Sequence, residues 1–267
     1  MRRNYLLPHC FASRYFRASL FRRLEFLVFL ALLTSGLRAQ SVPAEPGARL
    51  ATDRPWSLGV FTAGGFALGY RDVLHLPPGD VAQEATASIE MRIFNAGLRA
   101  SKVVTRAYGA KLVRGELEIG AELLPYWQAH YPRQSLTYYA SNGPGKPEAS
   151  LKTAPIAEQD RFGIGFTPFL LRWDFSTGAR VVPSAQLGGG LLWTNHKFPQ
   201  YPIRTANTSV INFTPQAGIG TNIFVRPTQS LLFAVDAVHI SSASLGDHNP
   251  GVNVTMQFRA GYSWWWK

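Results

Sequence analysis

Near the C-terminus, the stretch AVDAVHISSASLGDHNPGVN, residues 234–253, gathers residue types that can do covalent chemistry. Its first half alternates with period two. Phe233, Val235 and Ala237 share a strand face with His239 and Ser241, while Asp236, Val238 and Ile240 take the opposite face. A histidine and a serine at i and i+2 on one strand face can be held within reach of a shared hydrogen bond, which is what a base-activated hydroxyl nucleophile requires. A small-residue turn follows, then Asn249-Pro250-Gly251, then a second alternating segment. Spacing alone leaves a plainer reading open, in which the pair hydrogen-bonds lipid head groups and Asn249-Pro250-Gly251 is only a turn.

The elements that must position this pair come after a leader. Seven arginines lie in residues 1–39, most of them ahead of the apolar run Phe26 to Leu33, and the segment ends in Ser35-Gly36-Leu37-Arg38-Ala39. That order is a secretory signal peptide, with cleavage expected after Ala39. Its apolar run is too short to span a bilayer. Removing it lowers the net charge from +11 to about +5, with 20 basic and 15 acidic residues left. The basic balance is therefore largely an export signal, and no nucleic-acid partner is expected. Cys10, the sole cysteine, leaves with the leader, so the exported chain has neither disulfide nor thiolate chemistry. Residues 40–54 are rich in Pro and Ala without periodicity and read as a periplasmic tail, with one domain expected over residues 55–267.

That domain reads as eight alternating segments. Four are clear: Leu112 to Pro125, Pro183 to Trp193, Ile211 to Ile223 and Val252 to Trp264. Four are looser, roughly Trp56–Phe66, Ser88–Thr105, Phe162–Asp174 and Leu231–Ser241. Most run to about ten residues or more, the length of a tilted transmembrane strand and longer than the strands of a soluble sandwich. One face of each is apolar and the other polar, as lipid outside and a polar lumen inside require. Glu116, Glu118 and Glu122 are expected to pair across the lumen with Arg114, Arg92 or Arg259. The long connections, Ala67–Ala87, Tyr126–Arg161 and Thr194–Val210, fall at one end, and the short ones, Arg106–Ala110, Phe175–Val182 and Arg226–Ser230, at the other. Aromatic residues Trp173, Trp193, Trp264, Trp265 and Trp266 gather near strand ends, as an interfacial girdle does. The fold expected is an all-β, eight-stranded antiparallel transmembrane barrel in a bacterial outer membrane. By parity it turns His239 and Ser241 toward lipid at the outer end of the seventh strand.

The stretch HISSASLGDHNPGVN resembles the lipid A 3-O-deacylase family (PagL-like outer-membrane acyloxyacyl hydrolases), whose members carry His-x-Ser-Asn-Ala followed by an Asn-rich turn. The likeness extends more loosely through GGGLLWTN and INFTPQAGIG. It implies that His239 is the general base and Ser241 the nucleophile of an ester hydrolase. It also aligns Asn249 with the family's turn asparagine, a donor to the oxyanion together with backbone N–H groups of the Ser242-Ala243 turn. Ser242 stands where the family has asparagine, and Asn253 where the best-understood members have the carboxylate that orients the histidine. An Asn253 amide oxygen can still accept an Nδ1–H, and Asp247 in the same hairpin is the alternative carboxylate. The substrate implied is lipid A of the outer leaflet, the product a 3-hydroxy fatty acid, and no metal or cofactor is called for. A non-catalytic small barrel, structural, adhesive or porin-like, is the competing expectation, and the sequence leaves open whether a homodimer forms.

Overall fold

A computed structural model describes residues 54–68, 90–110, 113–140, 150–176, 180–198, 209–243, 245 and 254–267. The expected signal peptide, nearly all of the tail, and Asp247, Asn249 and Asn253 lie outside the described residues. Among the described residues eleven strands follow one another: β1 Trp56–Ala67, β2 Arg92–Val103, β3 Gly115–Tyr131, β4 Gln134–Ala140, β5 Ser150–Ile156, β6 Gln159–Phe175, β7 Val181–Phe198, β8 Ser209–Phe213, β9 Gln216–Arg226, β10 Gln229–His239 and β11 Val254–Trp266.

Nine of them form one antiparallel sheet in the order β6-β3-β2-β1-β11-β10-β9-β7-β8, and β6 also pairs with β7, which closes it. The barrel has eight staves because β8 and β9 are two halves of one. Pro215 has no N–H to offer the ladder, so the stave is interrupted at Thr214-Pro215 without losing register. On β7, Leu191 faces Phe213 above the break and Leu187 faces Ala217 below it. The remaining pair, β4 and β5, is a separate hairpin within the long connection expected at Tyr126–Arg161.

Alternation predicts that the third stave ends at Pro125, yet β3 runs on to Tyr131. A register shift against β6 between Leu124 and Trp127 carries the chain past the proline. The extra residue also reverses parity. Glu118 and Glu122 point inward before the bulge, and Trp127, Ala129 and Tyr131 point inward after it. A strict period-two reading cannot see such a switch.

Register around the barrel also fixes its slope. One hydrogen-bonded row leaves β1 at Leu68, whose N–H donates to Val254 O, and passes through His239 of β10 to the β8–β9 break, Gly189 of β7 and Phe169 of β6. It then continues at the level of Ala121 and Ala100 and returns to β1 at Leu58. Rows therefore descend toward the end where β1 begins and β11 finishes as they run from β10 to β6, as tilted staves with a staggered register must. The short turns there, such as that between β9 and β10, mark that end as periplasmic.

The lumen is filled in three layers. At the outer end Met91, Ile93, Trp127, Ala129, Tyr131, Leu192, Phe198, Val238 and Ile240 pack together, with Trp127 edge-on to Phe198 at 5.1 Å. At the periplasmic end Val103, Val182, Phe224 and Trp265 do the same. Between them lies a belt of buried charge. Glu122 accepts from Arg99 (Nε 2.8 Å, Nη2 2.5 Å) and forms a close ion pair with Arg259. Arg259 also faces Asp236 at 3.0 Å, and Gln186 bridges Arg99 to Asp236. Arg172 pairs with Asp174 at 2.8 Å and lies 3.8 Å from Glu118, which accepts from Ser101. Of the partners expected for the lumen glutamates, Arg259 is in place. Arg92 and Arg114 are exposed, because Arg92 lies on the outward face of β2 and Arg114 precedes β3; Arg99 and Arg172 serve instead. A lumen filled this way is not a pore.

Outside, the staves present Leu58, Val60, Leu98, Ile119, Phe166, Leu171, Ile219 and Phe258, all more than two-fifths exposed, as lipid-facing residues. Rings gather at the periplasmic rim, where Tyr108 meets Trp173 edge-on at 4.8 Å and Lys102 sits 4.6 Å over Trp56. Trp264 and Trp266 face outward there. Trp265 does not join the girdle: parity turns it inward, where its Nε1–H donates to Ser230 Oγ at 2.9 Å.

Candidate active site

His239 is the last residue of β10. Along that strand Asp236 and Val238 are buried in the lumen, so Phe233, Val235, Ala237 and His239 look outward, as alternation predicts. His239 is half-buried, and its N–H donates to Pro215 O at 2.9 Å. Beyond it the chain continues in the same register. Phe213 and Ser241 form a bridge with both hydrogen bonds made, Phe213 N–H to Ser241 O at 2.7 Å and Ser241 N–H to Phe213 O at 3.1 Å. Phe213 is 39% exposed on the outer surface, and residues opposite each other in an antiparallel bridge project to the same side. Ser241 is thus carried onto the outward side, although only 6% of it is accessible.

The residues next to Ser241 fix its hydroxyl. Ala243 N–H donates to Ser241 Oγ at 3.1 Å. In this contact Oγ is the acceptor, which fixes one side of the hydroxyl. Ala243 holds that position at φ 46°, the one non-glycine in the left-handed region among the described residues. Such strain persists only where surrounding structure over-determines it, and it clusters at functional sites. Ser242 is fully buried between the two. Ala243→Val, which puts a β-branched side chain at positive φ, is expected to slow turnover by about 10–100-fold through misplacement of Ser241. The folded barrel should persist, as judged by the heat-dependent shift in gel mobility.

Behind the wall at this level lies a cavity of about 30 Å³, bordered by Trp127, Leu192, Val238 and Ile240 above and by Glu122 and Arg259 below. It has room for a water molecule or two and none for an acyl chain.

Residues 113–263 match the family model for lipid A 3-O-deacylase (PagL), more than half of the chain. The chain belongs to the lipid A 3-O-deacylase (PagL) family. This PagL-family barrel resides in the bacterial outer membrane, with its apolar staves to lipid and the His239–Ser241 segment at the outer rim. No curated protein sequence matches it. Among solved structures it resembles the outer membrane protein OprG from Pseudomonas aeruginosa, with TM-score 0.49 and 11% identity over 80% of this chain and 97% of that one. It also resembles the outer membrane enzyme PagL, with TM-score 0.43 and 15% identity over 76% and 97%. The outer membrane protease OmpT from Escherichia coli gives TM-score 0.32 and 9% identity over 84% and 100%.

Of the residues singled out in sequence, His239, Ser241 and Ser242 follow one another at one stave end, with His239 and Ser241 on the outward side and Ser242 buried; Asp247, Asn249 and Asn253 lie outside the described residues. Sequence reasoning assigns no role to Phe213 or Pro215, and gives Ala243 only a backbone N–H for the oxyanion, not the left-handed conformation that directs it at Ser241 Oγ. The first two stand in INFTPQAGIG, a stretch legible as similar to the family, but nothing in a one-dimensional pattern says which strand it will face.

Proposed function

We propose that the chain hydrolyses the ester-linked acyl chain at the 3-position of lipid A by a serine–histidine mechanism. Ser241 Oγ attacks the acyl carbonyl while His239 takes its proton, and a bond forms between Oγ and the acyl carbon. The acyl–oxygen bond to the sugar then breaks, and the imidazolium returns the proton to the leaving sugar oxygen. Water adds to the acyl-serine with His239 again as base, which releases a 3-hydroxy fatty acid and restores the hydroxyl. The Ala243 N–H, already directed at Ser241 Oγ, is well situated to donate to the developing oxyanion, with Asn249 as a second donor. Asn253, through its amide oxygen, is the group we assign to orient the imidazole, ahead of Asp247.

The observation that carries this reading is the location of the pair. A histidine and a hydroxyl stand on the outward side of a stave at the outer end, next to the leaflet that holds lipid A, where uninvolved polar groups are costly. Family membership supplies the substrate class.

The test is to fold the purified protein into detergent with lipid A and follow the products by mass spectrometry. The expected result is stoichiometric release of a 3-hydroxy fatty acid and a lipid A lighter by that one chain. Lipid A left intact across several detergents and acylation states would favour the non-catalytic barrel instead.

A further inference from the structure

Charge is divided unevenly between the two ends of the barrel. At the periplasmic end, five of the eight staves begin or finish on a basic residue: Arg54 ahead of β1, Lys102 on β2, Arg114 ahead of β3, Arg180 ahead of β7 and Arg226 closing β9. Arg106 joins them in the connection from β2 to β3. No acidic side chain is exposed at this end among the described residues. Glu116 and Asp174 lie nearby, but both are buried, and Asp174 is paired with Arg172 in the lumen. The exposed acids that are described, Glu90, Glu158 and Asp160, all stand at the outer end, mixed there with Arg92 and Arg133. Sequence follows the same division: residues 104–114, 176–180 and 227–228, the connections of the periplasmic end, contain no Asp or Glu.

Packing within the protein does not account for these cations. Arg54 Nη1 donates to Pro227 O and Lys102 lies 4.6 Å over the Trp56 ring, contacts that leave both charges uncompensated. Among the described residues none of the six forms an ion pair. Like charges round one rim repel one another, so a ring of this kind costs stability unless an anion meets it.

Height decides which anion that is. Arg54 stands two residues before the outward Trp56, and Arg226 follows Val225, which is 47% exposed on the lipid-facing side. Arg114 follows Val113, whose carbonyl accepts from Trp173 Nε1–H at 3.1 Å. An aromatic girdle marks the border between hydrocarbon and headgroups, and the cations lie one step beyond it. The mouth of the barrel gives a ligand no other seat, because Val103, Val182, Phe224 and Trp265 close the lumen just inside. Lipid A fills the opposite leaflet; the leaflet at this end is phospholipid, whose anionic members present a phosphate at this height.

We propose that the periplasmic rim is a binding collar for anionic phospholipid, with Arg114, Arg180 and Arg226 holding headgroup phosphates. A guanidinium offers a planar fork of N–H donors that matches two phosphate oxygens. The collar grips the barrel from the leaflet opposite lipid A and fixes its depth there. It is independent of the deacylase reading, since its residues stand at the other end of the staves from His239 and Ser241.

Spin-label EPR tests this on the folded protein in phosphatidylcholine vesicles that carry a trace of labelled phosphatidylglycerol or labelled phosphatidylcholine. At low salt the barrel should associate with phosphatidylglycerol about fivefold more strongly, the effect of one basic side chain at an anionic surface. The preference should fade in about 1 M salt, where the Debye length is about 3 Å. Arg114→Gln/Arg180→Gln/Arg226→Gln should lose it, whereas Lys at the same three positions should retain most of it. Arg92→Gln/Arg133→Gln, at the outer end, should match the wild type. Equal association of the two lipids with the wild type, or a preference that survives salt or the triple Gln substitution, would overturn the proposal. So would a wild type without lipid preference that binds soluble polyaspartate in detergent, which would assign the rim to a periplasmic partner. The salt series needs no variant, so the proposal stays open to refutation even if the triple variant folds poorly by gel mobility.

Discussion

Ser241→Ala and His239→Ala should each fold as the wild type does and lose 3-hydroxy fatty acid release by on the order of 10³-fold or more. The reason is that hydroxyl and imidazole act as one unit: without the base, the serine is a weak nucleophile at neutral pH, and without the serine, the histidine has nothing to activate. The double variant should accordingly be no slower than either single one, because the second substitution removes a group that no longer functions. Stability should change little in His239→Ala, and in Ser241→Ala fall by about 1 kcal/mol, the loss of the acceptor for Ala243 N–H. His239 is half-buried at a stave end, and the bonds that fix Ser241 to Phe213 are made by main-chain atoms that alanine retains. Initial rates on one lipid A preparation, with gel mobility before and after heating as the folding control, measure both halves of the expectation. A loss of folding along with activity would show that the pair is structural.

The second large effect is on stability and lies in the lumen. Glu122 is the shared partner of Arg99 and Arg259, all three nearly sealed from solvent. Glu122→Ala would leave two guanidinium groups buried side by side without the carboxylate between them. Removing one partner from a buried pair costs about 3–5 kcal/mol, and here the remaining charges also repel. Asp236 keeps a contact with Arg259, but among the described residues Arg99 keeps only its hydrogen bond to Gln186 and the more distant charge of Glu118. The variant should therefore assemble poorly and unfold at markedly lower denaturant than the wild type. Glu122→Gln, which keeps an acceptor of the same shape, should fall between the two. Tryptophan fluorescence against urea in lipid vesicles gives the comparison; equal midpoints for wild type and Glu122→Ala would mean that the belt contributes little.

How much of this was legible in the sequence depends on which atoms decide each feature. Strand faces are set by each residue's own parity, so the inward turn of Glu118 and Glu122 and the outward turn of His239 follow from period two. Ion-pair partners are set by register between strands, which no single segment encodes. That is why the expected partners include Arg92 and Arg114 and omit Arg99 and Arg172, and only Arg259 among them is at the belt. Pro125 signals a strand end, but a bulge allowed β3 to pass it and reversed parity for Trp127 and Tyr131. Trp265 shows the opposite lesson: it was counted with its neighbours as girdle, although strict alternation along β11 already turned it inward. At the site, His239 and Ser241 could be named from spacing and resemblance. The Phe213 bridge and the left-handed Ala243 that hold Ser241 arise from contacts between distant segments and from a backbone angle.

The most direct measurement is covalent capture of the nucleophile. The folded protein is treated with an alkyl fluorophosphonate, which labels a hydroxyl only when a base has activated it, and the adduct is mapped by peptide mass spectrometry. The expected result is one adduct, on Ser241, absent from His239→Ala and slowed by lipid A in proportion to its occupancy. An adduct on another residue, or an unlabelled Ser241 in protein that still releases 3-hydroxy fatty acid, would contradict the account.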